Sequence, residues 1–481
     1  LPALSLLSTL LVMCGSVETS RTSSLLFSER TAVAVQRGVA QDLIAQSHAS
    51  RLVETVPTAT GEVTVWRRTG DVFEFQRNGV LIGRISTDTS VSPQPAEDIL
   101  PAILPLANHA HPSRVLVLGD DTGVCLRVCT HFPVQEIVAV RTDIKTTQLA
   151  RKFTWSRQQL SPDRDERVRI LHEPAILALR RRELNRFDVV IASGENTALN
   201  SAACQYTAEF YQAARSRMGA DAVFCQRFRQ NGLGPEPLKS TIATMMTTFA
   251  NVGVVETVPG EILLLASDSE NGLIDAELLS RLQRDHVRRE IAIAGWDWSQ
   301  VAILPLLDAR DPIGMFSHET PGLAMSVANC GLAMTLPYDA VRMADKSSEL
   351  HAVFGRHQQQ ILAAAPETDG VEEVKRRLSA LAQQLEILAG MPDQPWTYRK
   401  SLQMEMKQSP RPPRDLIENG KISKIAHPLD LLRKNYFVTL GNALSAASRG
   451  ELKTELIHQL DTFTNNFEPL ITHFAHYEII R

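Results

Sequence analysis

The chain has 481 residues, of which 44% are hydrophobic and 22% are charged, and its formal net charge is −4. This composition is ordinary for a soluble globular protein and shows no basic excess that would bind nucleic acid. The length allows about two or three domains. The 6 cysteines lack C-x-x-C spacing, which indicates reduced thiols. Cys125 and Cys129 lie one helical turn apart without a second ligand pair, so no metal site is predicted.

The amino-terminal segment, residues 1–56, opens with LPALSLLSTLLVMCGSV and does not begin with Met. Its apolar run is shorter than the roughly 20 residues that span a bilayer. No basic region precedes it, so a signal peptide is not predicted. Two interpretations of this helical segment stay open: a packing helix, or the end of a truncated transmembrane helix. The second would attach the protein to a membrane, at its cytoplasmic face.

Residues 57–100 carry the pattern of a small β meander. The stretch GEVTVWRRTGDVFEFQRNGVLIGRIS, residues 61–86, alternates apolar and polar side chains at period two. Thr69-Gly70-Asp71 and Asn78-Gly79 are turn signals within it. The pattern therefore predicts three short antiparallel strands.

Residues 101–344 change to buried strands that alternate with helices. The apolar runs VLVLG, EIVAVRTD, RVRIL and FDVVIAS, which begin at residues 115, 136, 167 and 187, are separated by helix-compatible segments. They predict an α/β fold with a doubly wound parallel sheet. AVFCQRF, GVVETVP and EILLLASD are later candidate strands.

Residues 345–481 carry apolar side chains at three- and four-residue spacing, which predicts an all-helical extension. The apolar stripes of such helices must be buried on the same chain or on another one. The extension is therefore a candidate surface for a homo-oligomer or for a protein partner.

A doubly wound sheet holds its ligand in the loops at the carboxyl ends of the strands. The loop after the first parallel strand holds the nucleotide, and an acidic residue at the end of the second strand takes the ribose hydroxyls. These positions carry Gly119-Asp120-Asp121-Thr122-Gly123 and Arg141-Thr142-Asp143, and Glu173 follows the third strand. Such turns favour glycine, so the two aspartates need an explanation.

The order of segments resembles the spermidine synthase family, the polyamine aminopropyltransferases. The meander, HPSRVLVLG, VRTD, DERVRILHEPAILAL, FDVVIAS and TAEFY carry this resemblance over roughly residues 60 to 265. The continuation to about residue 340 is similar to bacterial spermidine-synthase-like proteins that are often fused behind a membrane domain. The resemblance implies a class I methyltransferase-like fold and a polyamine substrate. It also implies decarboxylated S-adenosylmethionine or methylthioadenosine as ligand, with no tightly bound cofactor.

The resemblance also assigns candidate site residues. Five positions are implied to hold the adenosyl ligand: Gly119, Asp121, Gly123, Asp143 and Glu173. The family's first turn reads G-G-G-D-G, and here Asp120 and Asp121 stand at its second and third glycines. Arg141 stands at the position of the family's acidic residue that binds the ribose. Where a tyrosine-histidine-glutamate stretch is expected before the first strand, this chain has PAEDILPAI.

The catalytic positions of the family are altered as well. Its proton-accepting aspartate aligns with Ser193 and a polyamine-anchoring aspartate aligns with Asn196. An amine nucleophile needs a carboxylate to accept its proton, and serine cannot supply one, although Glu195 lies nearby in sequence. The resemblance therefore implies a catalytically weakened aminopropyltransferase, a pseudoenzyme. The alternative is a non-catalytic binding or assembly module that uses the extension.

The aspartates of the first turn leave two interpretations open. Asp120 and Asp121 could attract a cationic sulfonium or amine to the turn. They could instead be turn-favouring residues that replaced glycine after the constraint of ligand binding lapsed.

Overall fold

The computed structural model describes residues 51–68, 72–87, 94–153, 162–193, 200–229, 235–258, 261–294, 296–308, 324–329, 331–332, 359–361, 372–374 and 376. These residues form a four-stranded antiparallel sheet and a nine-stranded mixed sheet. The predictions for residues 1–50 and for most of residues 345–481 lie outside them. In the described part of the chain, no helix is long and apolar enough to cross a membrane.

The small sheet is a meander of four strands, not three. The strands are β1 (Arg51–Thr58), β2 (Gly61–Arg67), β3 (Val72–Arg77) and β4 (Val80–Ser86), each paired with the next. The predicted Asn78-Gly79 turn is confirmed, with left-handed φ angles of 51° and 78°. β1 begins inside the segment that was predicted to be helical. Its sequence RLVETVPT is rich in β-branched residues, which favour a strand.

The larger sheet has a parallel part built from five strands. Helix α1 (Ala96–Asn108) precedes it, and its strands are β5 (Arg114–Leu118), β6 (Glu136–Val140), β7 (Val168–Leu171), β8 (Phe187–Ala192) and β9 (Met218–Arg229). Their spatial order is β7-β6-β5-β8-β9. The connecting helices are α2 (Val124–Thr130), α3 (Ile144–Arg151), α4 (Ala175–Arg180) and α5 (Ala208–Arg215). The predicted methyltransferase-like, doubly wound fold is confirmed, and its switch point lies between β5 and β8.

An antiparallel part completes the sheet beyond β9. Its elements are α6 (Pro235–Met246), β10 (Asn251–Val258), β11 (Glu261–Ser267), α7 (Leu278–Leu282), α8 (Asp285–Ile293), α9 (Trp298–Ala302) and β12 (Pro305–Asp308). β11 lies between β9 and β10, and β12 pairs with β10. All of the strands predicted between residues 115 and 268 are therefore confirmed. Helix α1 packs on β8, β9 and β10 and against α2 and α8.

A short strand from the predicted extension also joins this sheet. β13 (Gln359–Gln360) pairs with β12, and the Ile361 N–H donates to the Leu304 carbonyl oxygen at 3.1 Å. Ile361 and Val374 are both 0% exposed in the hydrophobic core. This strand differs from the all-helical prediction for residues 345–481. The edge of β12 has backbone N–H and C=O groups without a strand partner, and another segment of the chain can form hydrogen bonds with them.

Truncating Ile361 tests this contribution of the extension to the core. The Ile361→Ala variant is expected to lose about 2–5 kcal/mol of unfolding free energy, because a buried side chain is replaced by a cavity. Leu177→Ala is the matched control, since Leu177 is 51% exposed on α4, and its expected effect is within about 0.5 kcal/mol. Chemical denaturation measures both. Equal effects of the two variants would show that Ile361 is not part of the core.

The register of the parallel strands sets up the site. The last row paired across four strands consists of Gln226 on β9, Ala192 on β8, Leu118 on β5 and Val140 on β6. The next residues along these strands form the row at the carboxyl edge, called the edge row below: Arg227, Ser193, Gly119 and Arg141. The backbone hydrogen bonds of the sheet extend to this row. The Gly119 N–H donates to the Val140 carbonyl oxygen at 2.8 Å, and the Ser193 N–H donates to the Leu118 carbonyl oxygen at 3.1 Å.

Candidate functional site

Asp120, in the turn after β5, has backbone partners on both carboxylate oxygens. Its Oδ1 accepts from the Gly123 N–H at 3.1 Å and its Oδ2 accepts from the Leu126 N–H at 2.7 Å. Burial raises the pKa of this carboxyl, while the Arg141 guanidinium opposes the rise. Asp120 therefore ties the turn to the start of α2 and is not available to a ligand.

Asp121, the second carboxylate of the turn, forms a buried ion pair with the meander. Its Oδ2 lies 2.7 Å from Arg77 Nη2, and the two side chains are only 4% and 1% exposed. Close packing accompanies this pair: a Cβ on Gly83 of β4 would lie 2.6 Å from the Thr122 methyl carbon. The aspartates therefore have structural roles that neither sequence interpretation included. They connect the turn to α2 and to the meander.

Arg141 lies across the other end of the same turn. Gly123 has a left-handed φ of 78°, and a Cβ there would lie 3.0 Å from Arg141 Nη2. Glycine suits this left-handed backbone, and any larger residue would press on the guanidinium. Arg141 Nη1 donates to Asp163 at 3.1 Å, which balances the charge. Arg141 Nε is buried and has no hydrogen-bond partner among the described residues.

Asp143 begins helix α3 and keeps one carboxylate oxygen unused. Its Oδ1 accepts from the Lys145 N–H at 2.8 Å, as an N-cap does. Its Oδ2 is buried and has no hydrogen-bond partner in the part of the chain that is described. A buried acceptor without a donor is unfavourable, so this oxygen is suited to a ligand hydroxyl.

Glu173, after β7, already has an arginine partner. Its carboxylate accepts from Arg181 Nε at 2.5 Å and from Arg181 Nη2 at 3.0 Å. The Glu173 side chain is 16% exposed and that of Arg181 is 40% exposed. A bidentate pair of this kind occupies both oxygens. Each oxygen keeps a second lone pair, so Glu173 could still accept a hydrogen bond from the base of a ligand.

Ser193 ends β8 in the edge row, next to Gly119. Its hydroxyl oxygen is buried and lacks a hydrogen-bond partner among the described residues. The neighbouring candidates Glu195 and Asn196 lie outside the described residues. In its usual form a serine hydroxyl is a hydrogen-bond donor and acceptor, not a proton-accepting carboxylate.

Arg227, at the other end of the edge row, holds two carboxylates from distant parts of the chain. Its Nη1 lies 2.7 Å from Asp98 of α1 and its Nε lies 2.9 Å from Glu261 of β11. Burial alone would lower the pKa of Arg227, but the carboxylates raise it above the ordinary value. Arg227 Nη2 is buried without a partner among the described residues. The neighbouring Arg229 pairs with Glu261 at 3.2 Å.

A second ion-pair group joins α1 to the meander. Arg84 of β4 contacts Glu74 at 3.0 Å and Glu97 at 2.7 Å. Burial and the neighbouring Asp98 raise the pKa of Glu97. Each of these carboxylates already faces a guanidinium of the same chain.

Three arginines of this region were missed in the sequence: Arg77, Arg227 and Arg229. Arg227 and Arg229 alternate with apolar residues in the buried strand β9, whose last eight residues are all buried. Charged residues are rarely buried without a partner, so this pattern was a usable sign of buried ion pairs. Arg77 gave no such sign, since its partner Asp121 lies 44 residues away.

Cys125 offers no reactive group in this region. The hydrogen bond to Cys129 and burial raise the pKa of Cys125 well above the ordinary thiol value. A thiol in such surroundings stays protonated and unreactive. In the part of the chain that the structure describes, no cluster of three or more His, Cys, Asp or Glu side chains could hold a metal ion.

Comparison with known proteins finds a family to which part of this chain is similar. Residues 98–269 match the spermine/spermidine synthase domain. The polyamine aminopropyltransferase of Erwinia tasmaniensis is 28% identical over 131 residues, which are 27% of this chain and 44% of the relative. That of Thermotoga petrophila is 29% identical over 157 residues, 32% of this chain and 52% of the relative. The chain thus spans about half the length of these relatives.

Solved structures of spermidine synthases are also similar to this chain, at lower sequence identity. A spermidine synthase in complex with the transition state analogue AdoDATO matches with a TM-score of 0.41 and 20% sequence identity. The match covers 49% of this chain and 80% of the spermidine synthase chain. A probable spermidine synthase from Corynebacterium glutamicum matches with a TM-score of 0.39 and 17% sequence identity. The match covers 57% of this chain and 96% of that synthase. The resemblance to the spermidine synthase family that the motifs carry is confirmed by the family match and the relatives.

Proposed function

We propose that the carboxyl edge of this spermidine-synthase-like domain binds an adenosyl ligand and transfers aminopropyl groups to polyamines weakly or not at all. The proposal starts from the family match over residues 98–269, which supports aminopropyl transfer at the level of the family. The unused, buried Oδ2 of Asp143 is the observation that carries the ligand site. No bound cofactor beyond the adenosyl ligand is proposed.

Adenosyl binding is supported by the position of Asp143. It follows β6, the strand next to β5, where this fold places the acidic residue that takes ribose hydroxyls. Because Arg141 occupies the end of β6, Asp143 supplies the acceptor two residues later. Gly119 and Gly123 bracket the turn with left-handed φ angles of 80° and 78°.

Weak catalysis is supported by the carboxylates near Ser193: apart from Asp143, which is assigned to the ribose, those described in this region already have partners. Ser193 cannot accept a proton as a carboxylate does. Asp98 and Glu261 pair with Arg227, and Asp121 pairs with Arg77. Within the part of the chain that is described, a cationic polyamine would have to compete with these guanidinium groups for a carboxylate.

Titration with methylthioadenosine tests the ligand site. The Asp143→Asn variant keeps the N-cap acceptor for the Lys145 N–H but replaces the unused oxygen with an amide. We expect its dissociation constant to rise about 10- to 150-fold, the effect of a lost hydrogen bond to a charged group. Glu173→Gln is expected to change the constant less, because Arg181 holds both of its oxygens.

Calorimetry at millimolar ligand decides between the outcomes. Heat from the unmodified protein with a weaker constant for Asp143→Asn supports the proposal. No heat and no thermal shift would show that the edge is not a nucleoside site. The assembly alternative concerns residues 345–481, most of which lie outside the described residues, so it stays a prediction.

A further inference from the structure

We propose that the edge row recognises a carboxylate on the tail of the adenosyl ligand. The site would then select S-adenosylmethionine or S-adenosylhomocysteine over their decarboxylated forms. This inference rests on the proposed adenosyl site and adds the chemical group that the ligand carries beyond its ribose. A site that binds a polyamine prefers a positively charged group, whereas this row would prefer a negatively charged one.

The edge row carries three unused polar groups, on β9, on β8 and, beyond β5, on β6. They are Arg227 Nη2, the Ser193 hydroxyl and Arg141 Nε, all buried and without a hydrogen-bond partner among the described residues. Arg227 is 8% exposed and Arg141 is 2% exposed. Unsatisfied donors on buried charged groups are costly and rare in native proteins. Their occurrence in one row, beside a glycine turn, marks a ligand site.

The chemistry of these groups favours an anion. Guanidinium N–H groups only donate, and the serine hydroxyl can also donate, so a ligand here must bring acceptors. A carboxylate is the acceptor whose planar geometry matches a guanidinium. An amine would instead have to compete with Arg227 for the carboxylates of Asp98 and Glu261, which that guanidinium already engages.

The spacing of the row fits an amino-acid tail. β5 and β9 are separated by β8, so Gly119 and Arg227 lie two strand spacings apart, about 10 Å between backbones. A ribose held near Gly119 and Asp143 would direct its 5′ substituent along the row towards Ser193. A homocysteine tail spans much of this distance, and the Arg227 side chain covers the rest.

Calorimetry with three probes tests the inference: S-adenosylhomocysteine, its decarboxylated analogue and methylthioadenosine. We expect S-adenosylhomocysteine to bind at least about tenfold more tightly than the decarboxylated analogue, as charge-assisted hydrogen bonds to one carboxylate imply. Arg227→Lys and Ser193→Ala are each expected to shrink that ratio while the affinity for methylthioadenosine changes less than about threefold. Arg215→Lys is the matched control, because its guanidinium pairs with Asp268 on an element away from the edge row.

The outcomes separate this inference from the proposed function. If none of the three probes binds, the adenosyl site itself is wrong. If methylthioadenosine binds but the two longer ligands bind equally, the adenosyl site stands and the carboxylate preference is refuted. If both edge-row variants still bind S-adenosylhomocysteine more tightly than its decarboxylated analogue, other residues must bind the ligand carboxylate. That result would overturn the role proposed for the edge row.

Discussion

Replacing Arg77 by methionine is expected to lower the free energy of unfolding by about 3–5 kcal/mol. Methionine keeps the apolar bulk of the arginine stem but removes the guanidinium that faces Asp121 at 2.7 Å. The cost arises because the Asp121 carboxylate, 4% exposed, loses its buried countercharge. Urea denaturation of the unmodified and variant proteins measures the difference.

Two further variants make this result specific to the buried pair. Arg114→Met breaks an exposed pair with Glu136, in which the side chains are 47% and 34% exposed, and should cost about 0–1 kcal/mol. Arg77→Met combined with Asp121→Leu should recover part of the loss, because no charge is then left buried. A loss below about 1 kcal/mol for Arg77→Met alone would show that water reaches Asp121.

The positions of the strands along the chain could be predicted because local sequence patterns determine them. Strands β5, β6 and β8 are short apolar runs, and each is followed by a helix-compatible segment. The Asn78-Gly79 turn was likewise predictable, since its left-handed backbone needs those residues. β13 was not, because two glutamines become a strand only where the edge of β12 is open to pair with them.

The site could be located in the sequence but its electrostatics could not. The turn at Gly119 follows from the strand before it, whereas the state of Asp121 depends on a residue 44 positions earlier. Arg227 and Asp98 are 129 positions apart. Such pairings depend on how the meander and α1 dock on the sheet. Sequence pattern therefore indicated where a ligand lies, and the structure indicated which carboxylates are already neutralised.

A very low rate of aminopropyl transfer is the second large effect that we expect. With saturating decarboxylated S-adenosylmethionine and putrescine, the unmodified protein should release methylthioadenosine at least about 10²-fold more slowly than an active aminopropyltransferase, since general-base assistance contributes about 10²–10⁴-fold. The polyamine aminopropyltransferase of Thermotoga petrophila is the reference under identical conditions. Spermidine as the acceptor should give the same result.

Restoring one carboxylate should not restore the reaction. Ser193→Asp returns a proton acceptor to the end of β8, but the new carboxylate would share the edge row with Arg141 and Arg227, whose guanidinium groups have unused donors. Hydrogen bonds from these donors would lower the pKa of the new carboxyl and reduce its basicity, and the family's ribose and amine anchors would remain altered. Turnover by the unmodified protein close to the reference rate would contradict this account. It would mean that a carboxylate outside the described residues, such as that of Glu195, accepts the proton.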